Sequence, residues 1–348
     1  KKDLSLIVSA VPASAAAVYT TNLVKGAPLI VTKNHLQNGI AQAVICNSGN
    51  ANTCNWNGIQ IAEDMCALVE KHTGIPATDV VVASTGVIGR RLPMDRLLAG
   101  MKAACGKLGR TYAHGLAAEK AVMTTDTKPK QACVTTEIDG KKVTVGGMSK
   151  GSGMIEPNMA TMLGFITTDA AVSSRMLKRA LQLAVAKSFN RLVVDGDEST
   201  NDSCFLLASG KACNRLIDGP GEDFDVFVEA LTAVAVSLAR QMAADGEGAT
   251  KFVTVTVKGA KSAKDAERAA RAIAKSPLAK TSWFGCDPNW GRVIAAAGYS
   301  GAQVEDMKAE VFYDGVWAFK RGVIADDAQL KRLEKIMKKK AFTVTVDL

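Results

Sequence analysis

Apolar and polar residues alternate from Leu4 to Val11, which predicts a β-strand, and Tyr19–Leu23 continues it after a turn. Two short apolar runs, Ala27–Thr32 and Ile40–Cys46, predict further strands on either side of the turn signal Gln37-Asn38-Gly39. The period then changes. Ile59, Ala62, Met65, Cys66 and Val69 recur at helical spacing, so Gly58–His72 predicts an amphipathic helix stopped by Gly74 and Pro76. Asp79–Ala83 predicts a buried strand, Pro93–Leu108 a helix opened by its proline, and Ala113–Met123 a second helix. A hairpin follows, Gln131–Ile138 and Lys142–Val145, around the turn Asp139-Gly140. Next come a strand beginning at Thr161, a helix from Ser173 or Ser174 to Phe189, and strands at Leu192–Val194 and Ser203–Ser209. Glu222–Ala244 is a long apolar helix.

Composition shifts at Asp245-Gly246-Glu247-Gly248-Ala249-Thr250-Lys251, which places a domain boundary there. Residues 1–244 form the larger domain. Residues 245–348 read as strand (Phe252–Val257), helix (Ala263–Lys275), a polar segment, a hairpin turning at Asp314-Gly315, helix (Asp327–Lys340) and strand (Ala341–Val346). The expectation is an α/β (α+β) chain with a smaller C-terminal α+β domain.

Composition narrows the function classes. At 47% hydrophobic and 22% charged, the 348-residue chain has the profile of a soluble globular protein of two or three domains. No apolar run reaches the roughly eighteen residues of a membrane span, and Lys1-Lys2 is followed by a strand pattern in place of a signal peptide. The eight cysteines form no C-x-x-C pair and read as reduced thiols of a cytoplasmic protein. Three histidines make a His-based metal site improbable, and no metal is expected. Of the net charge of +9, +7 lies between Lys251 and Leu348, where 18 basic residues face 11 acidic ones. Those charges alternate in sign along helix faces and aromatics are only 5%, so nucleic acid is not expected as a partner. Anionic small molecules suit the charge better.

The chemistry concentrates in Lys150-Gly-Ser-Gly-Met-Ile-Glu-Pro-Asn-Met-Ala-Thr161-Met-Leu. Gly151, Gly153 and Pro157 exclude regular structure, and an apolar strand pattern begins at Thr161. On pattern alone such a loop is a turn. It is also where an N-terminal nucleophile would be made: breaking the Ala160–Thr161 bond gives Thr161 a free α-amine beside its hydroxyl. An α-amine has a pKa of about 7.7–8.0, close enough to neutrality to act as general base. A second site of interest is Thr85-Gly86, just after the strand Asp79–Ala83. A glycine N–H and a neighbouring hydroxyl are the parts of an oxyanion hole, and equally of a plain strand-end turn. The acidic loop Asp195–Asp202 departs from a calcium-loop pattern, because its twelfth position is Leu206, and reads as a turn near the active centre.

The run around Thr161 resembles the self-cleavage segment of the ornithine acetyltransferases (glutamate N-acetyltransferases) of arginine biosynthesis. So do Asn47-Ser-Gly-Asn-Ala-Asn52, Thr85-Gly86, Gly196-Asp-Glu-Ser-Thr-Asn-Asp202 and Gly285-Cys-Asp-Pro-Asn-Trp-Gly-Arg292, in the family's order. The resemblance implies the layered α/β sandwich shared with DmpA-like hydrolases. It implies self-cleavage between Ala160 and Thr161 into α and β chains, assembled as an (αβ)2 heterotetramer. By the same resemblance Thr161 is the nucleophile of a ping-pong transfer of acetyl from N2-acetylornithine to glutamate. Thr85 (side chain) and Gly86 (main chain) form the oxyanion hole, and Thr124, Lys150, Thr161 and Glu247 hold substrate. No cofactor is implied, with acetyl-CoA a candidate second donor. The family's C-terminal tail, of the form Asn-Ala-x-Tyr-Arg-Thr/Ser, has no match before Asp347-Leu348. Three other readings stay open. Thr161 could serve an aminopeptidase or amidase with water as acceptor. Ser149, in Gly147-Met-Ser-Lys-Gly151, could serve a serine hydrolase, although no helix pattern follows it. The chain could also be a non-catalytic binding module.

Overall fold

The computed structural model describes residues 2–156 and 162–348. The chain divides into two compact units, Lys1–Glu247 and Gly248–Leu348. The larger unit runs β1 (Leu4–Tyr19), α1 (Ala27–His35), β2 (Ile40–Asn47), α2 (Gly58–Thr73), β3 (Val80–Ser84), α3 (Met94–Cys105), α4 (Tyr112–Val122), β4 (Lys130–Ile138), β5 (Lys141–Lys150), β6 (Leu163–Thr168), α5 (Ser174–Lys187), β7 (Ser203–Ala208) and α6 (Glu222–Ala244). Its seven strands form one sheet in the order β3-β2-β1-β7-β6-β5-β4. The pairs β2–β3 and β6–β7 are parallel and the others antiparallel. Mixed α/β architecture is therefore what the chain adopts.

Both faces of the sheet are buried. Successive residues of a strand point to opposite faces, and the neighbours Phe165 and Ile166 of β6 enter different cores. Ile166 packs with α5 and α6, which contribute Leu177, Leu181, Phe227, Leu231 and Leu238. At the other end of the sheet α2 inserts Ile61, Met65 and Val69 against Ile45 and Val82. By length and composition alone α6 could pass for a membrane span, contrary to the expectation that no run qualifies. Here it is an amphipathic core helix, with Phe224, Phe227, Leu231, Val234, Leu238 and Met242 inward. Glu222, Asp223 and Asp225 sit in its first turn, where negative charge is favourable.

Three strand expectations are corrected. Ala27–Thr32 is helical, as the start of α1. Its dense apolar run carries no period, but Pro28 in the first turn favours a helix, and the Thr32 hydroxyl both donates to Val82 O (2.8 Å) and accepts from Val82 N (2.9 Å). Tyr19–Leu23 is not a separate strand: β1 runs unbroken in the chain to Tyr19, with an irregular register between Val8 and Ala13. The chain then leaves the sheet, and Leu23 is 96% exposed. Leu192–Val194 pairs with no strand among the described residues; Val194 N donates instead to Ile155 O (2.6 Å).

The smaller unit runs β8 (Phe252–Lys258), α7 (Ala263–Lys275), α8 (Pro277–Phe284), α9 (Trp290–Gly298), β9 (Glu310–Tyr313), β10 (Val316–Lys320), β11 (Val323–Ile324), α10 (Asp327–Met337) and β12 (Ala341–Asp347). Its sheet has the order β11-β10-β9-β12-β8. The polar segment of the sequence contains two short helices. Ser276 caps α8 and Asn289 caps α9, each accepting from a backbone N–H in the first turn.

Candidate active site

The site begins where the parallel strands β2 and β3 end together, at Asn47 and Ser84. Asn47 Oδ1 accepts from Ser84 Oγ (2.6 Å), and Asn47 O accepts from Thr85 N (3.0 Å). Gly86 follows with φ +133°, and a side chain there would collide with the Gly49–Asn50 backbone. Only glycine fits that approach. Asn201 locks the arrangement from the loop before β7: its Nδ2 donates to Ala51 O (2.6 Å) and Ser84 O (2.9 Å).

This corner opens onto a cavity of about 650 Å3. Thr85, Gly86, Thr124, Lys150 and Glu247 all line it, so residues far apart in the chain meet at one place. Lys150 ends β5 opposite Leu163, the first residue of β6. The stretch 151–162 therefore connects two neighbouring antiparallel strands, and Met162, which follows Thr161, lines the same cavity. Ala160 and Thr161 themselves lie outside the described residues. Lys150 Nζ donates to Thr85 Oγ1 (3.3 Å). That hydroxyl keeps its own proton for a second partner. Glu247 lies against Gly153, where a side chain would overlap its carboxylate, and Glu247 N donates to Ser152 O (2.8 Å).

The charges around Lys150 are buried. Burial pulls its ammonium pKa below the usual lysine range, and the negative charge of Asp126 does most to oppose this. Asp126 feels burial too, but Lys150, Lys130 and the Gly151 N–H together hold its carboxyl below the ordinary range. Asp202 goes the other way: burial pushes its carboxyl well above that range, and its Oδ2 has no hydrogen-bond partner. Burial pushes the Cys46 thiol up to about 12, and the Lys150 charge opposes this.

The acidic loop expected near the active centre contributes Asp195, Asp197, Thr200, Asn201 and Asp202 to the cavity wall. Asp195 is occupied by backbone: its oxygens accept from Met154 N (2.6 Å), Ile155 N (2.7 Å) and Asp197 N (3.1 Å). Among the described residues no group of acidic, cysteine or histidine side chains could hold a metal ion. Ser149 lies within β5, buried, with an Oγ that has no partner, so it is on a strand and not on the exposed turn a serine nucleophile needs. Three residues of the site escaped sequence reading: Asp126, Lys130 and Asp202. Asp202 closes the run Gly196–Asp202, but nothing in the sequence distinguishes it from an ordinary loop acid.

The model of the ArgJ family matches residues 1–348. The chain is 48% identical over 351 residues to the arginine biosynthesis bifunctional protein ArgJ of Symbiobacterium thermophilum, spanning 100% of this chain and 86% of that protein. It is 48% identical over 347 residues to the protein of the same name from Geobacter sulfurreducens, spanning 99% and 88%. Among solved structures it is similar to the arginine biosynthesis bifunctional protein from Bacillus halodurans: 48% identity, TM-score 0.43, covering 45% of this chain and 83% of that one. The ornithine acetyltransferase of Mycobacterium tuberculosis, solved with ornithine, gives 37% identity and a TM-score of 0.40, over 45% and 84%.

Proposed function

From the premise that the chain belongs to the ArgJ family, as an ornithine acetyltransferase/glutamate N-acetyltransferase of arginine biosynthesis, we propose that it moves acetyl from N2-acetylornithine to glutamate by way of acetyl-Thr161. The observation that carries this reading is the meeting of Thr85, Gly86, Thr124, Lys150 and Glu247 around one cavity, with Met162 in its wall.

In this mechanism the chain first hydrolyses its own Ala160–Thr161 bond, water supplying the new Ala160 carboxylate and the proton of the freed Thr161 α-amine. That amine takes the hydroxyl proton as Thr161 Oγ attacks the acetyl carbonyl. The resulting oxyanion accepts hydrogen bonds from the Thr85 hydroxyl and the Gly86 N–H. Thr85 is suited to this, since Lys150 already donates to its oxygen. Collapse breaks the C–N bond, the proton passes to the departing α-nitrogen of ornithine, and acetyl remains on Thr161. Glutamate's amine then attacks the ester, and the same steps run in reverse. One chemical problem thus becomes two similar, easier ones.

Lys150 pairs with the α-carboxylate common to both amino acids, and Thr124 adds a hydroxyl. Glu247 attracts the side-chain ammonium of ornithine. The cleaved chains assemble as (αβ)2 in the cytoplasm, with no cofactor beyond acetyl-CoA as a second donor. The test is an acetyl-transfer assay with N2-acetylornithine, with and without glutamate. Formation of N-acetylglutamate supports the reading. Release of acetate unaffected by glutamate would make the enzyme an amidase.

A further inference from the structure

Three substrate contacts of that reading come from three different elements: Thr124 follows α4, Lys150 ends β5, and Glu247 follows α6. One buried acid and its partners tie all three together. Asp126 Oδ2 accepts from Thr124 N (3.1 Å), and its Oδ1 accepts from Gly151 N (2.6 Å), the residue after Lys150. The same Oδ1 accepts from Lys130 Nζ (2.7 Å), and Lys130 Nζ also donates to Asp245 Oδ2 (2.7 Å), at the end of α6 and two residues before Glu247. Asp245 in turn accepts from Thr127 N (3.0 Å). A second tie runs parallel to the first: Thr125 Oγ1 bonds Ser152 Oγ (2.7 Å), and Ser152 O accepts from Glu247 N (2.8 Å). The Asp126 and Lys130 side chains are 0% and 1% exposed, so water does not compete for the bond between them.

We propose that Asp126 is a positioning residue of the acetyl-transfer site, which fixes Thr124, Lys150 and Glu247 relative to one another and supplies the negative charge facing the Lys150 ammonium. The inference rests on the acetyl-transfer reading above.

The charge assignment follows from the groups that surround Lys150. Those that act on its charge most strongly are Asp126 after α4, Asp202 before β7, Cys46 on β2 and Lys130 at the start of β4, and the Glu247 carboxylate shares its cavity. Burial favours the neutral acid at Asp202 and the neutral thiol at Cys46. Lys130 is itself a cation and opposes the charge on Lys150. Asp126 is the buried carboxyl among these held ionised, by Lys150, Lys130 and the Gly151 N–H against its burial. A carboxylate-binding lysine works only while protonated, so losing the Asp126 charge lets Lys150 deprotonate at lower pH.

The experiment compares wild type, Asp126→Asn and Asp126→Glu in the acetyl-transfer assay across pH. Asp126→Asn is expected to raise KM for N2-acetylornithine and for glutamate about tenfold or more, the effect of a misplaced charge-assisted bond. It is also expected to move the alkaline limb of kcat/KM down by about one pH unit or more. Asp126→Glu keeps the charge and lengthens the stem, so KM rises while the limb stays near its wild-type position. A merely structural residue would lower activity without moving the limb, and an unmoved limb in folded Asp126→Asn overturns the proposal. Should Asp126→Asn not fold, Asp126→Glu decides alone: an unchanged KM would overturn positioning. Absence of acetyl transfer by the wild type would sink the functional reading instead, and is visible in the same series.

Discussion

Lys150 Nζ donates to Thr85 Oγ1 across 3.3 Å, so the lysine proposed to hold the substrate carboxylate also orients the hydroxyl proposed to meet the oxyanion. Binding and chemistry thereby share one hydrogen bond. Thr85→Val removes the donor while keeping the side-chain shape. Steady-state kinetics should show kcat reduced about 10²–10³-fold with KM little changed, because the bond is strongest in the transition state. Thr85→Ser should recover much of the loss. A Thr85→Val enzyme with wild-type kcat would remove Thr85 from the mechanism.

Lys150→Gln separates the other half of that pair. Its ammonium is expected to bind the ground state and the transition state alike, so KM should rise about 10–100-fold for both amino-acid substrates, as for loss of a hydrogen bond to a charged group. A similar fall in kcat with unaltered KM would mean that Lys150 acts on the reacting carbonyl.

Lys130 joins two buried carboxylates, Asp126 and Asp245. Lys130→Met should cost about 3–5 kcal/mol of stability, since it removes the ammonium bonded to both carboxylates and leaves Asp245 without its buried cationic partner. Chemical denaturation of the two proteins measures this directly. A loss below about 1 kcal/mol would show that the pair contributes no more than a surface ion pair.

Asp202 gives a pH signature. Its folded-state carboxyl titrates well above the ordinary range because of burial, so between the unfolded and folded values the folded protein binds the extra proton. Stability from this group is complete below the unfolded value and falls as pH rises through the folded one. Asp202→Asn, neutral at all pH, should therefore raise Tm at pH 8 relative to wild type, by about 2–4 °C per kcal/mol. The difference should shrink as pH falls towards about 4, near the unfolded carboxylate value. A pH-independent difference would show that the carboxyl does not change ionisation on folding.

Part of the cavity lining was legible in the sequence: Thr85-Gly86 by its place just after a predicted strand, and Thr124, Lys150 and Glu247 only through what the family resemblance implies. The elements with a clean period were legible for a simpler reason. Helix α2 shows its buried face at helical spacing, and the hairpin turns at Asp139-Gly140 and Asp314-Gly315 adopt positive φ at both residues. Ala27–Thr32 misled because a dense apolar run fits a buried strand and a buried helix equally well. The helices within the polar segment were hidden because their length is short and their cap signals, Ser276 and Asn289, are surrounded by Gly, Pro and Trp. The Asp126–Lys130–Asp245 cluster was invisible for a physical reason. Asp126 and Lys130 look like an ordinary surface pair four residues apart, and their burial depends on Asp245, which is more than a hundred positions away.

The central claim is that Thr161 becomes an N-terminal nucleophile that carries the acetyl group. Intact mass under denaturing conditions tests it most directly, on protein incubated with N2-acetylornithine and no glutamate. Two chains divided between Ala160 and Thr161 are expected, the second beginning at Thr161 and heavier by one acetyl group, with neither cleavage nor acetylation in Thr161→Ala. A single uncleaved and unacetylated chain from the wild-type protein would contradict the account.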